Sequence, residues 1–456
     1  MVDRLTDSRM YAHLWGTDEL HAVFGEEHRL QAWLNILAAL ASAQAELGII
    51  PEAAAREIAE GARFERLDMD FVVEETRATS HSILGLIRGL QRILPPTAAE
   101  YVYYGATVQD LTDTWTAMAM AQVGAIVWRD LGDIEGLLVE MARRYRDSVM
   151  SGRTHGQPGA PITFGFKVAG WADEVQRHRD RLRAGATRWL VGQLAGAVGA
   201  LSFFRGDGVA LRATFCARLG LADPGISWTS SRDRIAEFGS LLAMVTATLA
   251  RIGNEVYELQ RPEIGELREA ARATTVGSIT MPHKRNPEGS EHIVTLARLV
   301  RANAGLLVEG MVAEHERDGR AWKTEWPAFS EVCLLSATAL QLTRGLLRGL
   351  EVDTAAMARN LVTADGAIAS ERLLAALAPV LGKHRAQAEL QDAIRRARHD
   401  GDSTDQALRL VASDHIDSFT LSSMLTTPDT GACGAMVDEV IRRCSQAMAG
   451  DSATWP

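Results

Sequence analysis

Cysteine is scarce in this chain: four in 456 residues, at Cys216, Cys333, Cys433 and Cys444. Their spacing fits neither a metal site nor a redox pair, which argues against a disulfide scaffold and suits a reducing cytosol. Proline is scarce where it matters. Only Pro158, Pro161 and Pro224 fall between Pro96 and Pro262, so very long helices are allowed there. Long apolar runs are missing too; the longest, Trp33 to Ala43, is too short to span a bilayer and contains Asn35. The N-terminal stretch lacks the apolar centre of a signal peptide. Positive charge is in deficit, and a net charge of −10 argues against a nucleic-acid-binding surface. Neither a metal cluster nor a phosphate loop is visible, so no cofactor is expected. These absences together predict a soluble cytoplasmic protein with no membrane or nucleic-acid partner.

What is present is apolar residues at helical spacing. Leu111, Trp115, Met118, Ile126, Leu131, Ile134, Leu138 and Met141 recur mostly at three- and four-residue steps. They predict one helix over 107–145, roughly 55 Å long at 1.5 Å per residue. Residues 232–259 repeat the pattern from Ile235 to Leu259. Strand alternation is almost absent, so the fold class is all-α. Helices this long, apolar on more than one face, imply bundling between subunits. The chain divides into a smaller helical domain at 1–96, closed by Pro95-Pro96, a long-helix bundle at 97–350, and shorter helices at 351–456. The tail after Ala449 is expected to fray.

One stretch differs from its surroundings. A small-residue approach, Ala271 to Val276, leads to Gly277-Ser-Ile-Thr-Met-Pro-His-Lys-Arg-Asn-Pro-Glu-Gly-Ser-Glu291. Asn286 suits an N-cap and Pro287 a first helical position, so a helix is expected to start there. A loop carrying Ser278 and Lys284 would then abut the positive end of a helix, where anions bind readily. On residues alone, an ordinary capped helix with a solvated basic turn serves equally well.

The pattern Gly-Ser-x-x-Met-Pro-x-Lys-x-Asn-x-x-x-x-Glu resembles the signature of the aspartase/fumarase superfamily, and every fixed position is met between Gly277 and Glu291. The resemblance covers nearly the whole chain and is nearest the adenylosuccinate lyase and 3-carboxy-cis,cis-muconate cycloisomerase branch. It implies a three-domain, all-helical L-aspartase-like subunit, with central helices that build a twenty-helix core in a homotetramer. It also implies active sites shared between three subunits. The shared reaction removes a proton beside a carboxylate and expels a group from the neighbouring carbon. The intermediate is a dianionic aci-carboxylate, which demands preorganised donors.

By that resemblance Ser278 is the catalytic base, and Lys284 and Asn286 hold substrate carboxylate. A free hydroxyl is a weak base; only backbone N–H groups, a helix N-terminus and a nearby cation could favour its alkoxide. The family often has a second Ser where this chain has Ile279. Ser151-Gly-Arg-Thr-His-Gly-Gln-Pro158 resembles the stretch in which a His protonates a leaving nitrogen, so His155 is the expected acid, with Thr154 and Gln157 binding substrate. Tyr104-Gly-Ala-Thr-Val-Gln-Asp110 is similar to a carboxylate-binding helix start. Thr107 and Asp110 match it, while Val108 replaces a usual Ser. His81 falls where adenylosuccinate lyases carry Lys-His-Asp, with Ser82 in place of the Asp. Arg232, in Arg232-Asp-Arg234, is shared by both groups and is a further substrate-binding candidate, although Ser231 replaces the usual preceding Gln.

Two stretches separate the relatives. Adenylosuccinate lyases grip a nucleotide phosphate with an N-terminal Arg-Tyr pair, where this chain has Leu14-Trp15. After His315-Glu-Arg-Asp318, where those lyases continue with Ser and Arg residues that also serve the phosphate, this chain reads Gly-Arg-Ala-Trp-Lys-Thr-Glu-Trp326, and the Trp322 to Trp326 spacing looks like the cycloisomerases. The expected function is a lyase that releases fumarate from a small substituted succinate or aspartate, with a nitrogen-linked leaving group. Cycloisomerisation of a carboxymuconate is the alternative, adenylosuccinate cleavage the second, and a structural role without turnover a third from a different class.

Overall fold

The apolar repeats do become long helices, and the chain between them is mostly short turns. The computed structural model describes residues 5–271, 277–362, 366–450 and 455. Six helices come first: α1 (Asp18–Phe24), α2 (Glu26–Glu46), α3 (Glu52–Gly61), α4 (Met69–Thr79), α5 (Leu84–Ile93) and α6 (Pro96–Ala99). Then α7 (Val108–Arg144) runs for 37 residues, followed by strands β1 (Val149–Thr154) and β2 (Gln157–Thr163) and helix α8 (Phe164–Trp189). Next come α9 (Gly208–Arg218), α10 (Asp233–Leu259), strand β3 (Leu267–Arg268), α11 (Glu288–Glu309), α12 (Gly319–Gly349) and strand β4 (Glu351–Val352). The chain closes with α13 (Thr354–Val362), α14 (Ser370–Leu381), α15 (Lys383–Asp400), α16 (Thr404–Ala412), α17 (Ser418–Thr426) and α18 (Cys433–Gly450).

Helix α7 starts where capping chemistry allows. Thr107 has extended backbone, and Asp110 three residues on accepts from the Thr107 N–H at 2.8 Å. Along α7, Leu111, Val123, Val127, Leu131, Ile134 and Leu138 are all buried. It packs on α8 and α12, while α10 packs between α11 and α12 and also touches α8. Helix α10 is long and apolar enough to cross a membrane by composition, yet 67% of its most apolar window lies inside the protein. It is the core helix of the bundle.

Three features add detail to the division of the chain. The first concerns strands: β1 and β2 form an antiparallel hairpin, with Val149 opposite Thr163 and Thr154 opposite Gln157. Pro158 and Pro161 in β2 read as loop, because proline gives no ladder hydrogen bond and sits only on edge strands. The second concerns the C-terminal division. Helices α14 to α17 do have their own core, around Leu373, Leu377, Leu408 and Leu421. However, α18 returns to the main bundle, burying Val437 and Cys444 there and pairing Arg443 with Asp173 at 2.7 Å. The third concerns the tail after Ala449, most of which lies outside the described residues; the ring of Trp455 lies 6.1 Å from that of Trp128 on α7.

A buried imidazole ties α8 to α10. His178 Nε2 lies 2.8 Å from Thr248 Oγ1, which donates to Glu174 at 2.7 Å, while Arg181 lies 3.3 Å from His178 Nδ1. Burial, helped by Arg181 and opposed by Glu174, pulls this imidazole down to about 4 from an ordinary 6.5. The neutral form is therefore favoured in the fold, and the unfolded chain takes up the proton first as pH falls. The contribution is present above the ordinary value and is lost as pH drops towards about 4. It amounts to up to about 3 kcal/mol. His178→Gln should show a smaller fall in stability than wild type between neutral and mildly acidic pH, measured by urea midpoints at both.

Candidate active site

The signature loop is built around its own polar groups. Gly277 lies so close to the Lys284 carbonyl oxygen that a Cβ there would sit 2.3 Å from it, so only glycine fits. Ser278 Oγ accepts the Met281 N–H at 2.9 Å, and the Lys284 N–H donates to the Met281 carbonyl at 2.9 Å. Ser278 is half-buried, while Lys284 is exposed. Residues 272–276, most of the small-residue approach, lie outside the described residues.

The helix after this loop begins one position later than expected. Pro287 is the residue before α11, and Asn286 is not its cap. Instead the Asn286 amide donates to the Gly277 carbonyl at 2.8 Å and to Glu288 Oε1 at 3.2 Å, which uses both of its hydrogens inside the loop. The first free amides of α11, those of Gly289 and Ser290, donate to the Glu269 carboxylate at 3.1 and 2.8 Å. The positive helix end that might have held a substrate anion is already neutralised from within the chain. Asn286 is thus a loop-builder in this structure, and Lys284 and Arg285 are exposed cations of the loop.

His155 stands at the tip of the hairpin. It and Gly156 form a two-residue turn with φ of +52° and +73°, the left-handed pair that matches strand twist. Thr154 and Gln157 pair across that turn, and all four residues are exposed. Behind the tip, Arg153 makes a bidentate pair with the buried Glu266 at 2.8 and 2.6 Å.

The third region gathers at the start of α7. Asp110 is fully inside and accepts from the N–H groups of Thr107 (2.8 Å), Ala195 (2.8 Å) and Gly196 (3.2 Å). Burial pushes its carboxyl up to about 7, against the pull of those amides. Thr107 Oγ1 accepts from Arg317 at 2.7 Å, so a cation stands beside the position where Val108 lacks the usual hydroxyl. The sequence reading passed over Arg317, although its place in His315-Glu-Arg-Asp318 was the available signal. His81 Nδ1 accepts the Leu84 N–H at 3.2 Å, which leaves only its Nε2 for another partner.

Arg232 is the clearest correction among the candidates. Its Nε, Nη1 and Nη2 donate to Asp113 at 2.7 and 2.9 Å, to Glu325 at 2.8 and 2.6 Å, and to the Thr229 carbonyl at 3.5 Å. Five N–H groups meet five acceptors, and the residue is 3% exposed. It has no donor left for a substrate.

A cleft of about 770 Å³ opens beside these elements, with Thr112, Asp113 and Trp115 of α7 in one wall and Trp322 and Trp326 in another. Thr112 is about 8 Å along the helix from Thr107 at the usual rise. Phe24, Trp33 and Phe329 complete an aromatic lining. Arg29 also lines it, with its guanidinium 5.8 Å from the Trp33 ring. Among the described residues no carboxylate lies within ion-pair distance of Arg29, and burial lowers its pKa below the ordinary value, with Glu26 opposing. A desolvated, unpaired guanidinium is a receptor for an anion. Ser278, His155 and Lys284 line neither this cleft nor the one of about 1250 Å³ under α14, and among the described residues no hydrogen bond joins Ser278, His155 and Thr107.

The family profile described as Lyase matches residues 15–302. The chain belongs to the aspartase/fumarase superfamily. It is 37% identical over 446 residues to the N-acetyl-S-(2-succino)cysteine lyase of Dickeya dadantii, covering 97% of this chain and 98% of that one. It is 35% identical to the nitrosuccinate lyase of Streptomyces davaonensis, covering 96% and 95%. Among solved structures, the 3-carboxy-cis,cis-muconate lactonizing enzyme from Pseudomonas putida superposes with a TM-score of 0.88 at 29% identity, over 97% of this chain and 100% of that one. The fold is thereby that of the superfamily, and the chain is a lyase-superfamily enzyme related to proteins named for succinate-derived substrates.

Arg232→Met tests the reassignment of that residue. It leaves Asp113 and Glu325 buried without their cation, which should cost about 3–5 kcal/mol of stability in urea unfolding. A substrate-binding role predicts the opposite pattern, an unchanged midpoint with a raised KM.

Proposed function

We propose that this protein eliminates a sulfur-linked substituent from a 2-substituted succinate, releasing fumarate. Ser278 takes a proton from the carbon beside one carboxylate. The electron pair left behind spreads into that carboxylate as the aci-carboxylate dianion, with Lys284 as counter-charge. Its collapse forms the carbon–carbon double bond and expels the substituent with its bonding pair. His155 supplies a proton to the departing atom where that atom cannot carry its own charge.

The observation that carries this reading is the Met281 N–H donated to Ser278 Oγ at 2.9 Å. A backbone donor on the hydroxyl oxygen favours its alkoxide, which is what a serine base requires. The leaving group then belongs in the aromatic cleft, where Arg29 would meet an anion such as the carboxylate of an N-acylated amino acid. A thiol with that tail matches the chemistry named for the Dickeya dadantii relative. A nitrogen-linked leaving group is the second reading. It is favoured by the exposed imidazole of His155, since an amine needs protonation more than a thiol does.

Two further parts of the proposal concern the whole protein. Leu299 and Leu306 on α11, with Met311 and Val312 just beyond it, are exposed apolar residues on a bundle helix. A homotetramer that buries them and brings Ser278, His155 and Thr107 together from three subunits would complete the site. Four free, buried cysteines suit a cytoplasmic setting.

The test is fumarate release from N-acetyl-S-(2-succino)cysteine, an N-substituted aspartate, nitrosuccinate and adenylosuccinate, with lactone formation followed for 3-carboxymuconate. We expect turnover of the first, slower turnover of an amine-bearing succinate, and no AMP from adenylosuccinate. Ser278→Ala should lower the rate at least 10²-fold while ligand binding persists. Retention of more than about a tenth of the rate sinks the base assignment, and lactone formation as the only reaction sinks the elimination. Light scattering should give a mass near four chains; a monomer at micromolar concentration overturns the shared site.

A further inference from the structure

The hairpin that carries His155 is poorly held by its own ladder. Ser151 faces Pro161 and Arg153 faces Pro158, so at both positions the partner has no N–H to give, and the register shifts between them. A two-stranded ribbon is marginal alone even with a full ladder. What does hold it is behind the tip. Arg153, two residues before His155, donates to the Ser151 carbonyl at 3.4 Å and makes a bidentate pair with one carboxylate, Glu266, whose side chain is 0% exposed. Such a bidentate pair fixes direction as well as distance.

Glu266 is itself immobilised. Its Oε1 accepts from Asn360 on α13 at 2.8 Å, its N–H donates to the Leu259 carbonyl at 2.9 Å, and its carbonyl accepts the Asp353 N–H at 3.0 Å. Three residues further along the same segment, Glu269 holds the first turn of α11, which ends the Ser278 loop. One short stretch around β3 therefore grips both the acid-bearing hairpin and the helix that anchors the base-bearing loop.

We propose that Glu266 is a positioning residue: acting through Arg153, it aims the hairpin tip, and with Glu269 it makes the β3 segment a common brace for the two reactive regions. The inference rests on the assignment of His155 as the proton donor. Misplacing a reactive group by about 1 Å can cost on the order of 10²-fold in rate. Loosening this brace should therefore be felt at the acid step before it is felt in overall stability.

The experiment compares wild type, Glu266→Gln and Arg153→Lys, each also in a His155→Asn background, on succinates with good and poor leaving groups. We expect kcat for the poor leaving group to fall tenfold or more, with KM and the good leaving group changed less than about twofold. In the His155→Asn background the second substitution should add less than about twofold, because the tip it aims no longer carries the acid. Equal losses on all substrates, or full additivity with His155→Asn, overturn the proposal. A readout independent of turnover is amide hydrogen exchange over residues 149–163, which should speed up in Glu266→Gln while α7 and α10 stay protected. Unchanged exchange there overturns the brace, whatever the kinetics. Faster exchange together with no leaving-group dependence of His155→Asn would keep the brace and reject His155 as the acid. If Glu266→Gln does not fold, Arg153→Lys carries the same measurements.

Discussion

Everything at the working end of the bundle depends on the ion cluster of Arg232, Asp113 and Glu325. These residues come from the residue before α10, from the second turn of α7 and from the second turn of α12. A buried guanidinium is tolerable only when its charge and all its N–H groups are met, and here both conditions hold within the chain. The cluster pins three long helices at one level. Thr107 follows directly at the start of α7, and the loop with Arg317 enters α12 beside it. The cleft uses the flank of the same cluster as its wall.

A division of labour between buried and exposed polar groups runs through the site. Glu269 and Asp110 are spent on backbone amides, Glu266 on Arg153 and Asn360, and Asn286 on the Gly277 carbonyl and Glu288, and they set the shape of loops. Ser278, Lys284 and His155 stand on those loops half-buried or exposed, with few partners of their own. Groups in the second set are the ones able to meet a substrate. Arg29 and Arg317 belong with them, because among the described residues neither makes an ion pair with a carboxylate.

The relatives sharpen what the scaffold leaves open. Proteins named for carbon–sulfur, carbon–nitrogen and lactonizing chemistry all resemble this chain along nearly its full length. The aromatic cleft of Trp33, Trp115, Trp322 and Trp326, which also carries Arg29, Arg77 and several carboxylates, is where the proposed leaving group would sit.

Helical periodicity and one long motif determined, from sequence alone, the fold class, the two core helices and the identity of the Ser278 loop, because both signals are local. Helix spacing repeats every few residues, and the motif is contiguous. The β1–β2 hairpin was not legible, since its prolines mimic a loop and its stability comes from Glu266, more than a hundred positions away in the chain. The return of α18 to the bundle was equally hidden; a short amphipathic helix carries no mark of which neighbour will cover it. Arg232 looked like a ligand for substrate, and only tertiary structure brought Asp113 and Glu325 to it. The same is true in reverse for Arg29, whose lack of a partner is visible only once every neighbouring carboxylate has its place. Whether a charge is free or paired depends on residues distant in sequence, so tertiary packing alone decides it.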